Sequence, residues 1–175
     1  NQLADDGLVE IRPGSGTYVL VNTLDAANPV IENANPLELI DTRFALEPHI
    51  CRLAVLYARP AELERADKLL AQMDNCINDL EGFSAADTAF HTLLAKTTGN
   101  QLLIWIMEQI NGVRNQKQWA RMRRMTLTEK TISQYNLHHR QIIDAIRARE
   151  PEQAATAMQE HLESARLSLT RVAST

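Results

Sequence analysis

The stretch Phe83-Ser-Ala-Ala-Asp-Thr-Ala-Phe-His-Thr-Leu-Leu94 reads as one helix whose inward stripe is interrupted by metal-binding residue types. At 3.6 residues per turn, Phe83, Asp87, Phe90, His91 and Leu94 share a face. The same interruption recurs further along. One stripe runs Ile132, Tyr135, His139, Ile142, Ile146, and another runs Ala154, Met158, His161, Ala165, Leu169, Val172. A polar group set among such neighbours must find a partner, because burying it unpaired costs about 1–3 kcal/mol. One shared divalent ion would satisfy Asp87, His91, His139 and His161 together. The first two are four residues apart, so they project from one helix face within reach of a single ion. The remaining histidines fail the phase test: His138 lies with Thr131, Gln134 and Gln141, and His49 with Thr42, Ala45 and Arg52. Both are read as non-ligands.

Plainer readings compete. Asp87 stands three residues after Ser84, so Ser-Ala-Ala-Asp has the form of a capping box at a helix N-terminus. A single histidine on an apolar face is more often a satisfied core residue than a ligand. Three histidines on apolar stripes favour the metal, provided that the helices converge, which spacing alone leaves open.

Working outward, the 175 residues suit one full domain plus a fragment, and 45% hydrophobic content suffices for a core. Aromatic residues are few, alanine and leucine abundant, and glycine and proline sparse after about position 36, which favours helices packed on helices. A net charge of −4 excludes a general electrostatic attraction for nucleic acid, so any DNA contact must be local. Cys51 and Cys76 fall inside helical patterns and read as buried thiols rather than as a disulfide framework or a zinc ribbon. No run reaches the roughly 18 apolar residues of a membrane span and no signal peptide opens the chain, so the expected location is the cytoplasm.

The fold class expected is all-α, an antiparallel bundle of six to seven helices preceded by a β-hairpin. Asn1 to Asp6 reads as the last turn of a helix stopped by Gly7, and Leu8–Arg12 and Thr17–Val21 as short strands around Pro-Gly-Ser-Gly. Residues 1–22 are too small to fold alone, so more chain is expected upstream. Residues 23–34 read as a linker and 35–175 as the helical domain. Asn35-Pro36-Leu37-Glu38 supplies an N-cap, a proline at N1 and a glutamate at N3. Helices are expected near 36–58, 60–80, 84–98, 101–123, 127–148 and 151–172. Arg59-Pro60, Glu81-Gly82, Gly99-Asn100 and Glu150-Pro151 separate them, and short connections imply antiparallel neighbours.

In the first of these helices Arg43 stands on an apolar stripe with Leu39, Leu46, Ile50 and Leu53. It either snorkels or pairs with Glu47 four residues on, or it points into a cavity to receive a carboxylate, for which its planar fork is suited.

Together these residues resemble the GntR superfamily of bacterial transcription regulators, in its FadR-type subfamily with the all-helical FCD effector domain. Leu3-Ala-Asp-Asp-Gly-Leu-Val-Glu-Ile-Arg-Pro-Gly-Ser-Gly-Thr-Tyr-Val19 resembles the end of a recognition helix and the wing of a winged helix. Arg43-Phe-Ala-Leu-Glu-Pro-His-Ile-Cys-Arg-Leu-Ala54 resembles the first effector-domain helix. Asp87-Thr-Ala-Phe-His91, His139-Arg-Gln-Ile-Ile-Asp-Ala-Ile146 and Ala157-Met-Gln-Glu-His-Leu162 resemble three metal-binding segments. The resemblance implies a divalent ion, Zn first with Ni, Mn or Fe also suited, on Asp87, His91, His139 and His161, the same four that the stripes select. It also implies a small organic or sugar acid bound beside the ion, with Arg43 neutralising its far end and Asn111 and Arg114 as further contacts. Arg12, Gly14, Ser15, Gly16 and Thr17 would form the DNA-contacting tip of the wing, for which a plain exposed turn is the alternative. The family's first DNA-binding helices have no counterpart in residues 1–22, so these residues alone are not expected to read an operator.

The function expected is therefore a non-enzymatic, homodimeric regulator that binds operator DNA through the full-length protein and responds to a carboxylate. Trp105 and Trp119 are candidates for the dimer interface or the core. A metal-dependent hydrolase and a helical module with a purely structural ion remain alternatives.

Overall fold

A computed structural model describes residues 9–19, 29–114 and 116–173. The expected helix end at Asn1–Asp6 lies outside the described residues, as do residues 20–28 of the stretch around the linker. The chain divides into two compact units, residues 1–33 and 34–175.

In the first unit β1 (Val9–Arg12) and β2 (Gly16–Val19) pair antiparallel, with Glu10 opposite Tyr18 and Arg12 opposite Gly16. The turn is closed by Ser15 N–H donating to the Arg12 carbonyl at 3.0 Å, and Gly14 and Gly16 take φ of 77° and 120°, where a side chain would be strained. Arg12, Gly14, Ser15, Gly16 and Thr17 are all exposed here. The Arg12 guanidinium donates to Glu10 at 2.9 Å and lies 4.9 Å from the centre of the Tyr18 ring. Within the stretch read as linker, Pro29–Asn33 forms a short helix, α1.

The second unit contains seven helices among its described residues: α2 (Pro36–Tyr57), α3 (Pro60–Asn75), α4 (Leu80–Thr97), α5 (Gln101–Arg114), α6 (Lys117–Thr126), α7 (Glu129–Arg147) and α8 (Pro151–Ala173). The all-α bundle is as the sequence predicts. α2 begins where Asn35 caps it, its Oδ1 accepting from Leu37 and Glu38 N–H while Glu38 accepts from Asn35 N–H. The bundle is organised around α8, which packs most extensively on α2 and α7, with α4 lying against α2, α3 and α5. Phe83, Phe90, Ile40, Ile50, Ile132, Ile142, Met158 and Leu162 are sealed between them. No helix among the described residues is long and apolar enough to cross a membrane.

Three expected boundaries are corrected. The helix expected over 60–80 ends at Asn75, and the next starts at Leu80 rather than Ser84. Its N-cap is Asp79, whose carboxylate accepts from Gly82 N–H at 2.9 Å, so Ser84 is interior and makes no capping box with Asp87. Gly82 is a site of close approach rather than a break, since a Cβ there would run into the Asp79 carboxylate and Cys76 Sγ. The helix expected over 101–123 is two, α5 and α6, separated at residues 115 and 116.

The α7–α8 turn shows how one residue can tie two helix ends. Glu150 N–H reaches the Ala145 carbonyl and Arg149 N–H the Ile146 carbonyl, a Schellman closure that places Arg149 at φ 63°. The Arg149 side chain then donates to the carbonyls of Val55 and Ala58, two of the unsatisfied acceptors at the end of α2. Arg149→Ala is expected to lower stability by about 1–2 kcal/mol, the sum of two net hydrogen bonds. Urea denaturation of the two proteins checks it, and identical midpoints would show that water caps α2 equally well.

Candidate metal and ligand site

α4 contributes Asp87 and His91 from adjacent turns of one face, α7 contributes His139 and α8 contributes His161. The helices converge. One ligand atom from each residue lies within 4.8 Å of the other three, and none of the four residues is more than 3% exposed. The imidazoles of His139 and His161 have centroids 4.4 Å apart, with His91 5.2 Å from His161 and 5.5 Å from His139. Phe90 and Tyr135 pack on the rings from outside and fix their orientation.

Polar atoms at this point lack hydrogen-bond partners: Asp87 Oδ1, both nitrogens of His139, and Nδ1 of His161. Asp87 Oδ1 lies 3.3 Å from His139 Nε2 and 3.6 Å from His91 Nε2 without a hydrogen bond to either. Buried groups of this kind are normally satisfied, so a cluster of orphans needs an explanation. A divalent cation fits them. Burial pushes His139 down to about 4, and burial with the nearby His139 and His91 pushes His161 further down. Both imidazoles are then neutral, with lone pairs available near pH 7. Burial pushes Asp87 up, but Arg114, His139 and His91 more than offset it and hold the group ionised. One carboxylate and three imidazoles are a donor set suited to zinc and its neighbours.

His91 is oriented by Glu47, which in sequence figures only as an i,i+4 partner for Arg43. Glu47 is 2% exposed, and its Oε2 lies 2.6 Å from His91 Nδ1 while Oε1 accepts from Arg43 Nε at 2.6 Å. Burial alone would raise the Glu47 carboxyl, but Arg43 and His91 hold it well below the usual range. A carboxylate on Nδ1 leaves Nε2 as the nitrogen turned toward the cluster, an arrangement common around metal-bound histidines. Arg43 Nη2 faces that Nε2 at 3.0 Å.

The charge around the cluster is also carried by arginines. Arg43, Arg114 and Arg123 are 3%, 5% and 9% exposed, and Arg114 and Arg123 both reach Asp87 Oδ2, the latter at 3.5 Å. Burial lowers the Arg114 guanidinium to about 10 despite its bond to Asp87. With Asp87, His161 and Trp119 these arginines border a cavity of about 30 Å³. Of the expected ligand contacts, Arg43 and Arg114 line this cavity, whereas Asn111 is not brought to it and donates to Thr92 Oγ1 at 2.9 Å. His49 is exposed and His138 half-buried, outside the four-residue cluster. Of the two tryptophans, Trp119 is buried at the cavity and Trp105 is 52% exposed. Sequence reasoning missed Glu47, Arg123 and Trp119 as neighbours of the cluster. The signal for Glu47 was its place one turn from Arg43, and that for α6 was a tryptophan four residues before an arginine, Trp119 and Arg123, on one face.

Residues 38–164 match the family model of the FCD domain. The chain is 28% identical over 165 residues to the Uxu operon regulator of Haemophilus influenzae, covering 93% of this chain and 62% of that protein. It is 30% identical over 164 residues to the HTH-type transcriptional regulator LutR of Bacillus subtilis, covering 89% and 74%. Among solved structures, that of a Streptococcus agalactiae GntR protein aligns with a TM-score of 0.64 at 25% identity, over 95% of this chain and 78% of that one. The chain thus spans less than two thirds of the Haemophilus protein's length. It belongs to the FCD-domain family, among relatives that are GntR-type transcription regulators.

Proposed function

We propose that residues 35–175 are the sensing domain of a cytoplasmic, homodimeric, DNA-binding regulator. Asp87, His91, His139 and His161 hold a divalent metal, and a small organic or sugar acid binds beside it to change operator affinity. The observation that carries this is the set of partnerless ligand atoms in one buried cluster, ringed by guanidinium groups. A bound metal supplies positive charge and open positions for an anionic oxygen. The chain's own residues do the rest. Glu47 holds His91 Nδ1, Arg114 and Arg123 orient Asp87, and Arg43, itself held by Glu47 through Nε and Nη2, adds positive charge at the cavity. The hairpin tip at Arg12–Thr17 would contact DNA backbone, with base reading left to the remainder of a winged helix. Two-fold operators match a dimer, and Leu102 and Trp105, one turn apart on α5 and both exposed, suit its interface.

An enzymatic reading is less well supported. Among the described residues Glu47 and Asp87 are the buried carboxylates, and both are engaged by arginines, leaving no spare general base at the cavity. Calorimetric titration of the zinc-loaded protein with small carboxylates separates the readings: saturable binding without turnover is expected, turnover would indicate an enzyme, and no binding a structural ion. In the same titration Arg43→Lys should weaken the best ligand by about 1.5–3 kcal/mol, because Lys keeps the charge but loses the two-point hold on Glu47 that fixes that charge at the cavity. Equal affinity in the variant would remove Arg43 from the binding role.

A further inference from the structure

Outside the small cavity lies a groove of about 510 Å³ between the first half of α4 and α6, bordered by Ser84, Thr88 and Arg124. Arg114 and Arg123 border both spaces. The wall between them is therefore two guanidinium groups meeting at a single oxygen, Asp87 Oδ2, with Arg123 held at only 3.5 Å. The inner space has room for about two water molecules, enough for one carboxylate group but not for a whole organic acid. The groove is of the size that small ligands occupy.

We infer that cavity and groove are one binding site divided by Arg114 and Arg123, and that its occupant is an elongated acid with at least two anionic groups, one inside and one in the groove. The inference rests on the sensor reading above and specifies its ligand. Two observations support it. Four buried donor positions on these walls have no acceptor: Arg114 Nε and Nη1, Arg123 Nε, and Trp119 Nε1. Their complement is a molecule rich in acceptor oxygens. The charge count is also unbalanced: among the described buried residues here, Arg43, Arg114 and Arg123 face the carboxylates Glu47 and Asp87, and a divalent ion would add two further positive charges. A monoanion leaves most of that surplus buried, whereas a second negative group also meets Arg123 and Arg124 at the groove, where Arg114, Arg123 and Arg124 outnumber its one acidic residue, the exposed Glu81. The wall gives way at Arg123, because its contact with Asp87 is the longer one and α6 has no side-chain cap at its start.

Succinate and butyrate have equal chain length and differ in one terminal anionic group, so the zinc-loaded full chain titrated with each tests the idea. Succinate should bind at least about tenfold more tightly, the worth of a charge-assisted hydrogen bond. Arg123→Gln should abolish the preference without loss of metal. Ser84→Glu, a half-buried position on the groove wall, should weaken succinate and leave butyrate unchanged. Should Arg123→Gln fail to fold, Ser84→Glu decides alone. Equal affinities in the wild type, or a preference that survives both substitutions, would overturn the two-compartment site while leaving the sensor reading standing. Failure of every carboxylate to bind would bring down both.

Discussion

Glu47→Gln is expected to destabilise the metal-free protein by about 3–5 kcal/mol, because it breaks a buried ion pair from one side. The reason is local. Glu47 is the countercharge of Arg43, accepting from Nε at 2.6 Å and Nη2 at 3.3 Å, and both side chains are shielded from water. Gln preserves shape but leaves a guanidinium buried without an anion. A second consequence separates this residue from an ordinary core ion pair. Glu47 also contacts His91 Nδ1 at 2.6 Å, so its loss frees the ring to turn and should weaken divalent metal binding by about 10–100-fold. Denaturant unfolding measures the first effect and competitive metal titration the second. A loss below about 1 kcal/mol with unchanged metal affinity would mean that Arg43 finds water and His91 is held by packing alone.

His161→Leu is expected to show the opposite balance, a fold that persists and a site that fails. His161 is 2% exposed, its Nδ1 has no partner, and Tyr135, His91 and His139 rings surround it. As a purely structural residue it is a poor choice, because a buried nitrogen without a partner costs about 1–3 kcal/mol that a leucine of similar volume avoids. The metal-free variant should therefore unfold at the same denaturant concentration as the wild type or a higher one. Its affinity for divalent ions should nonetheless collapse, since one of three imidazole donors is gone.

The convergence of Asp87, His91, His139 and His161 was legible because each replaces an apolar residue at the centre of a strong helical stripe, where phase errors are small. The surroundings were harder to read for identifiable reasons. On α2 the expected stripe took Leu46 and Leu53, which are only half-buried, whereas the buried face runs through Arg43, Glu47, Ile50, Cys51 and Ala54. Positions three and four residues on are both admissible at a 3.6-residue period, and in sequence Glu47 figures only as an i,i+4 partner for Arg43. Arg123 and Trp119 were lost because a helix drawn unbroken over 101–123 carries the phase of α5 through residues 115 and 116, where α6 starts afresh. Asp87 as a cap was plausible only while Gly82 was taken for a break, and the close approach of Asp79 and Cys76 that requires glycine there is a tertiary fact. Asn111 shares α5 with Arg114, but its amide is committed to Thr92.

The most direct measurement is the divalent metal content of purified protein after chelation, reloading and removal of free ion, determined by elemental analysis for the wild type, His161→Leu and His138→Ala. The account predicts about one ion per chain in the wild type and in His138→Ala, whose ring is half-buried outside the cluster, and almost none in His161→Leu. Full occupancy in His161→Leu, or no retained ion in the wild type, would contradict it.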